Sequence, residues 1–303
     1  MNAIVSTHNL SKCYGDTYGV NNVNLSVYEG DVYGFLGPNG AGKSTTLKML
    51  LGLVKPTDGK VTIFGKDFSK HRRPILSQTG SLIESPSFYG HLTGLENMRI
   101  MQSLRNVPHQ NVNEVLQIVR LEKQKDKKVS QYSLGMKQRL GIAMALIAFP
   151  KLLILDEPTN GLDPAGIGEI RELIQSLPQR YGITVLISSH LLSEIEQIAT
   201  SVGIISQGKL VFQGSMDQLR GKSEGRIAIK TANNMEAERI LLHQGLPSLR
   251  AGEYLTLKSV GDREVARMNK TLIHAGIDVI RIEEQRKSLE QLFLEMTGKE
   301  SSL

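Results

Sequence analysis

The octapeptide Gly37-Pro38-Asn39-Gly40-Ala41-Gly42-Lys43-Ser44 constrains this chain more than any other stretch, because it fits the pattern G-x-x-x-x-G-K-[ST]. Residues Asp31–Leu36 before it read as a buried strand. Thr45–Leu51 after it, with Leu47, Leu50 and Leu51 at helical spacing, read as the start of a helix. Strand, glycine-rich turn and helix make a phosphate loop. Gly37, Gly40 and Gly42 let the backbone aim its N–H groups at phosphate oxygens, and the helix N-terminus adds positive potential. Lys43 is placed to reach β- and γ-phosphates, and the Ser44 hydroxyl to ligate Mg²⁺. Pro38, Asn39, Ala41 and Thr45 complete the expected nucleotide-contacting segment. A nucleoside-triphosphate site is the expectation.

Composition narrows the setting. The chain has 303 residues, enough for one large domain or two ordinary ones. Its net charge of +6 is mild, and a solvated basic face accounts for it. Aromatic residues are 5% with no Trp, too few for base-stacking platforms, so no nucleic acid is expected. Cys13 is the only cysteine, which excludes an intrachain disulfide and a cysteine metal cage. The N-terminus lacks the character of a secretion signal, and no apolar run approaches spanning length. The expected location is cytoplasmic.

Along the chain, Ile4–Val27 alternate as strands do, with Val23, Leu25 and Val27 on one face. Tyr14 reads locally as a half-buried loop tyrosine. Pro56–Gly59 reads as a turn, and Lys60–Phe64 as a strand. From about residue 85 to 150 the texture turns helical, with Thr93-x-x-Glu96 as a capping box. Ser133 is suited to cap a helix running to Ala148. Leu152–Leu155 then form an apolar strand that delivers Asp156 and Glu157 at its C-terminal end, where open α/β sheets place their sites. Asp156 suits Mg²⁺, and Glu157 suits the deprotonation of an attacking water. Asp163-Pro164 caps another helix. Ile183–Ile187 is a strand leading into Ser188-Ser189-His190, where His190 reads equally as a structural hydrogen-bonder or a site residue. Residues 221–225 read as a linker. The tail to residue 303 carries a βαββαβ order typical of a ferredoxin-like sandwich.

Together these pieces resemble the nucleotide-binding subunit of an ABC transporter, over about residues 2–220. Tyr132–Gly141, Glu157–Pro164 and Ser188–Glu196 are similar to the bacitracin-resistance and lantibiotic-immunity type, and the tail around Ser288–Phe293 looks like the extension such subunits carry. The resemblance implies an α/β ATPase of the ABC type over residues 1–220, with an inserted helical subdomain and a C-terminal α+β domain over 221–303. It implies that Tyr14 stacks on adenine, overturning the local reading. His190 would contact the γ-phosphate, and Asp163 would communicate between subunits. Two subunits, alike or different, would hold two ATP, each between one phosphate loop and the partner's Ser133–Gly135 segment. The chain would power a separate membrane permease docked near Glu84 and the helical subdomain, lying peripherally on the inner face of the membrane. The expected cargo is a peptide antibiotic.

Two departures stand out. The signature is Ser133-Leu134-Gly135-Met136, where the common family pattern is Ser-Gly-Gly-Gln. Glu84, in Ile83-Glu84-Ser85-Pro86, stands where most members have a Mg²⁺-touching glutamine, so we expect a carboxylate in that role, with Gln78 the weaker substitute. A soluble ABC-type factor acting on ribosomes or nucleic acid is the rival. A single phosphate loop and no sustained heptads speak against it.

Overall fold

A computed structural model describes residues 3–84, 87–223, 225–258 and 261–298. Ser85 and Pro86, beside Glu84, and Glu224 of the expected linker lie outside the described residues. The chain forms two compact units, Met1–Met216 with Phe293–Leu303, and Asp217–Leu292.

The first unit is built on a six-stranded sheet. Its order is Lys209–Ser215, Ser201–Ser206, Val32–Leu36, Thr184–Ser189, Leu152–Asp156, Thr79–Leu82. Only the first pair is antiparallel. Parallel strands are covered on both faces, so their sequences are continuous apolar runs without alternation. Val32–Leu36, Leu152–Asp156 and Thr184–Ser189 are accordingly buried at every residue. A second, antiparallel sheet contains Ala3–Tyr14, Thr17–Val23, Ser26–Tyr28, Asp58–Ile63 and Lys66–Asp67. Its apolar face (Val5, Leu10, Val23, Leu25, Val27) packs into one core with Leu47 and Leu50 of the helix Lys43–Leu50 and with Phe35, Ile154 and Leu186 of the central sheet. That helix is thus held between two sheets, which fixes the loop preceding it.

The turn expected over Pro56–Gly59 is shorter, since Asp58 and Gly59 already belong to the strand Asp58–Ile63. Gly59 has φ +91°, and a Cβ there would stand 2.4 Å from the Asn9 carbonyl oxygen. Close approach of two strands requires glycine at that position.

Between Thr79–Leu82 and Leu152–Asp156 the described residues form three α-helices, Gly94–Arg105, Gln110–Ile118 and Leu134–Leu146. The first opens on a complete capping box. The Thr93 hydroxyl accepts the Glu96 N–H, and the Glu96 carboxylate accepts the Thr93 N–H. The third is seated directly on the central sheet, because Gly80 leaves no side chain between its strand and the Ala145 carbonyl.

The second unit has β-α-β-β-α-β order, Gly225–Thr231, Asn234–His243, Leu249–Ala251, Tyr254–Lys258, Asp262–His274 and Val279–Arg286. All strand pairs are antiparallel, in the spatial order Leu249–Ala251, Tyr254–Lys258, Gly225–Thr231, Val279–Arg286. Ile227, Ile229, Leu255 and Leu257 meet Ala237, Leu241, Met268 and Leu272 of the two helices in its own core. This is the ferredoxin-like sandwich. Its limits differ from the expected 221–303. The division falls after Met216, and the chain from Phe293 onward belongs to the first unit, where Ser206 Oγ donates to the Thr297 carbonyl. The last helix, Leu289–Thr297, therefore crosses the division. Among the described residues no helix is long and apolar enough to cross a membrane.

A Cβ at residue 80 would stand 2.2 Å from the Ala145 oxygen, which belongs to a helix backbone and has little room to yield. Gly80→Ala is expected to destabilise the first unit by about 2 kcal/mol through overpacking. Thermal unfolding of the purified chain measures it.

Candidate active site

The strands Val32–Leu36, Thr184–Ser189 and Leu152–Asp156 are neighbours in parallel register, with Leu36 opposite Ser189 and Ser188 opposite Asp156. Three segments therefore emerge at one level of the sheet: the phosphate loop, the acid pair and the Ser-Ser-His run. This is the crevice where open α/β sheets bind ligands.

The phosphate loop bends where glycine permits. Gly40 and Gly42 have φ +79° and +107°. A Cβ on Gly37 would meet the Ile205 carbonyl oxygen at 2.4 Å, and one on Gly42 the Gly19 oxygen at 2.5 Å. The turn at Gly208 braces the loop from behind, donating its N–H to the Ala41 carbonyl. Lys43 opens the helix and is only 4% exposed. Its ammonium donates to the Gly37 carbonyl at 2.8 Å and stands 3.3 Å from Glu157 Oε1. A buried ammonium is tolerable only when paired and hydrogen-bonded in this way.

Glu157 has φ +47°, a left-handed conformation uncommon outside glycine, and strain of this kind gathers at functional sites. Its N–H donates to Ser188 Oγ at 3.0 Å. Its carboxylate is shared: Oε1 faces Lys43, and Oε2 stands 3.0 Å from His190 Nδ1. The chain turns sharply after the buried Asp156 so that one acid points along the sheet edge and the next into this pair. Ser188 serves both, since its hydroxyl also donates to Asp156 Oδ1 at 2.5 Å.

A cleft of 660 Å³ is bordered by Ser44, Asp156, Glu157 and Glu84, and across it by Leu134, Lys137 and Gln138. Among the described residues no three His, Cys, Asp or Glu side chains gather as a metal cage. The oxygen donors Ser44 and Asp156 beside a phosphate loop suit Mg²⁺, which takes one or two protein ligands and completes its shell with phosphate and water. Glu84, also left-handed at φ +60°, reaches this cleft but is bound to Lys48, with Oε1 2.5 Å from the ammonium. That hydrogen bond holds the Lys48 pKa above the usual ammonium range. Gln78 lies apart, its side-chain amide donating to the Pro74 carbonyl.

The remaining predicted residues lie outside this centre. Tyr14 is 54% exposed and lies not in a loop but at the end of the strand Ala3–Tyr14. Its ring covers Gly19, whose carbonyl abuts Gly42, and the Lys12 ammonium stands 5.1 Å from the ring centroid. Ser133 caps Leu134–Leu146, accepting the Met136 N–H. Leu134, Lys137 and Gln138 of that helix border the cleft. Asp163 caps the helix Pro164–Tyr181 by accepting the Gly166 N–H. Burial raises the Tyr132 pKa, with Asp126 adding to it, so the phenol stays protonated and donates to the Gln124 carbonyl.

Ser188 and Lys48 are absent from the sequence expectations. Ser188 carries no motif of its own, and its role depends on cross-strand register, which sequence does not display. Lys48 lies one turn beyond Ser44 on the same helix, at a spacing compatible with the cleft, and that spacing was the only available signal.

Fold and site together define a phosphate-loop ATPase with an acid strand and an adjacent histidine. The family model described as ABC transporter matches residues 20–160. The bacitracin transport ATP-binding protein BcrA of Bacillus licheniformis is 44% identical, with 98% of each chain covered. The lantibiotic transport ATP-binding protein SrtF of Streptococcus pyogenes is 46% identical, covering 71% of this chain and 92% of its own. A solved ATP-binding cassette, MJ0796, described as a dimer in a post-hydrolysis state with ADP and Pi, superposes with a TM-score of 0.63. It is 27% identical, covering 70% of this chain and 98% of its own. The chain belongs to the ATP-binding subunits of ABC transporters, ATPases that dimerise and work with a membrane permease.

Ser188→Ala removes a hydrogen bond to Asp156 and an acceptor for the Glu157 N–H. Loss of a partner by a buried polar group costs about 1–3 kcal/mol. The expected result is a fall in kcat of roughly tenfold with nucleotide binding retained, read by steady-state phosphate release and fluorescent-nucleotide titration.

Proposed function

We propose that this chain is the ATPase motor of an exporter that removes a peptide antibiotic of the bacitracin or lantibiotic type, conferring resistance or self-immunity. The observation that carries the catalytic part is the Glu157 carboxylate held between the Lys43 ammonium and His190 Nδ1 at the mouth of the phosphate loop. The cargo reading rests on the relatives named bacitracin and lantibiotic transport proteins.

In this reading the N–H groups of Gly37–Thr45 and the Lys43 ammonium hold the phosphates, and Tyr14 stacks on the adenine. Glu157 Oε2 takes the proton from water as it attacks the γ-phosphate in line, and His190 fixes both that carboxylate and the phosphate. Mg²⁺ held by Ser44 and Asp156 would neutralise developing phosphate charge. Glu84 joins that set only by exchanging its Lys48 partner, which makes the Lys48–Glu84 pair a sensor of cleft occupancy. The N-terminus of Leu134–Leu146, with Ser133 and Gly135, supplies a second anion site to the partner subunit's ATP, and Asp163 lies along the same contact. The permease docks beside Glu84 and the helical insert, which keeps the chain peripheral on the inner face of the membrane.

Glu157→Gln is expected to lower turnover by at least about 10²-fold while ATP still binds, and to render cells that rely on the transporter sensitive to the peptide antibiotic. Near wild-type phosphate release by this variant contradicts the general-base role. Affinity capture from detergent-solubilised membranes should bring down a stoichiometric polytopic protein. Ribosomal proteins in its place would favour the soluble-factor reading.

A further inference from the structure

Glu194 is a buried carboxylate that the hydrolytic scheme leaves unused. It is 7% exposed, and its Oε2 accepts hydrogen bonds from Thr159 Oγ1 at 2.7 Å and Ser189 Oγ at 2.9 Å. The two hydroxyls come from different segments. Thr159 follows Glu157 by two residues, on the run that leads to Asp163, whereas Ser189 immediately precedes His190. The Ser189 hydroxyl also accepts the Leu191 N–H at 3.0 Å, so it fixes the backbone on both sides of His190. Glu157, His190, Thr159, Ser189 and Glu194 all border one cavity of 150 Å³.

An ionised carboxylate only accepts hydrogen bonds. The shorter contact of the Ser189 hydroxyl is with Glu194, at 2.9 Å against 3.3 Å to the Leu191 carbonyl, and its lone pair takes the Leu191 N–H. Burying an acid to tie two hydroxyls is costly compared with an apolar contact, and such ties are retained where they specify geometry. The hydrolytic pair is the nearest geometry that needs specifying, because the Glu157–His190 contact joins the same two segments.

We propose that Glu194 is a positioning residue for hydrolysis. It couples the Glu157–Asp163 segment to the His190 loop, so that the carboxylate and the imidazole meet only when both segments are seated. Through Thr159 it also links the hydrolytic pair to Asp163, at the expected contact between subunits.

The inference rests on Glu157 and His190 being the hydrolytic pair, and the test separates the two. In the purified full-length chain, Thr159→Val removes one donor at nearly constant volume, and Glu194→Ala removes the acceptor. Each is expected to lower kcat by about tenfold or more while the KM for ATP changes less than about twofold. The double variant is no worse than Glu194→Ala alone, because Glu194→Ala already breaks the tie that Thr159→Val removes. Thr159→Ser, which restores the hydroxyl, recovers most of what Thr159→Val loses. Unchanged kcat in Thr159→Val, additive losses, no rescue by Thr159→Ser, or a loss carried by KM each overturn the proposal. If Glu194→Ala fails to fold, the Val and Ser variants at residue 159 still decide. Glu157→Gln is the control: if it turns over ATP normally, the assignment of the hydrolytic pair fails, whatever Glu194 does.

Discussion

The site depends on one carboxylate shared between an ammonium and an imidazole. Glu157 presents one oxygen to the buried Lys43 ammonium and the other to His190 Nδ1. Neither partner is adjacent to it in sequence, so the arrangement exists only because three parallel strands end at the same level. Lys43 requires the pairing as much as Glu157 does, since a buried ammonium without a counter-charge is among the costlier features a fold can carry. The nucleotide phosphates are a natural alternative partner for that ammonium. Binding of ATP would thus free the Glu157 carboxylate for water while Lys43 turns to phosphate, which links occupancy of the loop to readiness of the base.

Local backbone strain collects around the same point. Glu157 and Glu84 are both left-handed without being glycine, and both are carboxylates facing the cleft that Ser44 and Asp156 border. Such conformations cost about 1–3 kcal/mol each and persist only where the surroundings impose them. At Glu157 the surroundings are Ser188, which receives the amide and steadies Asp156, together with the Lys43 and His190 contacts. At Glu84 the restraint seen among the described residues is Lys48, on the phosphate-loop helix. The proposed roles follow that difference: Glu157 is restrained on several sides, whereas Glu84 is tied through an exposed pair.

Much of this was legible in the sequence because the chemistry is carried by local patterns. Gly37–Ser44 specifies its own backbone, Thr93 and Glu96 announce a helix start, and Leu152–Asp156 reads as a buried strand delivering acids. The resemblance to ABC transporter subunits supplied the roles expected of His190 and Asp163, which locally read as an even choice between structural and site residue and as a helix cap. What escaped was set by register and side-chain reach. Ser188 is an ordinary strand-end serine until the strand beside it puts Asp156 opposite. Glu194 lies on a four-residue helix, and its two partners are brought to it by the fold. Tyr14 was read locally as a loop tyrosine; the structure makes it the last residue of its strand, with the ring over Gly19. The domain limit moved for the same kind of reason, since the hydrogen bond from Ser206 to Thr297 joins residues 91 apart in sequence.

In the proposed reading one chain carries the phosphate loop and the hydrolytic pair, while its capped helix N-terminus at Ser133 and Gly135 serves the partner subunit. A complete site on this account takes two chains, each lending that N-terminus to the other's nucleotide. Sedimentation of Glu157→Gln with and without ATP measures this most directly, since nucleotide stays bound when hydrolysis is blocked. The account predicts a monomer that becomes a dimer with one ATP per chain, and return to monomer with ATP still bound when Ser133→Arg is added. A Glu157→Gln chain that binds ATP fully as a monomer, or a dimer indifferent to Ser133→Arg, would contradict it.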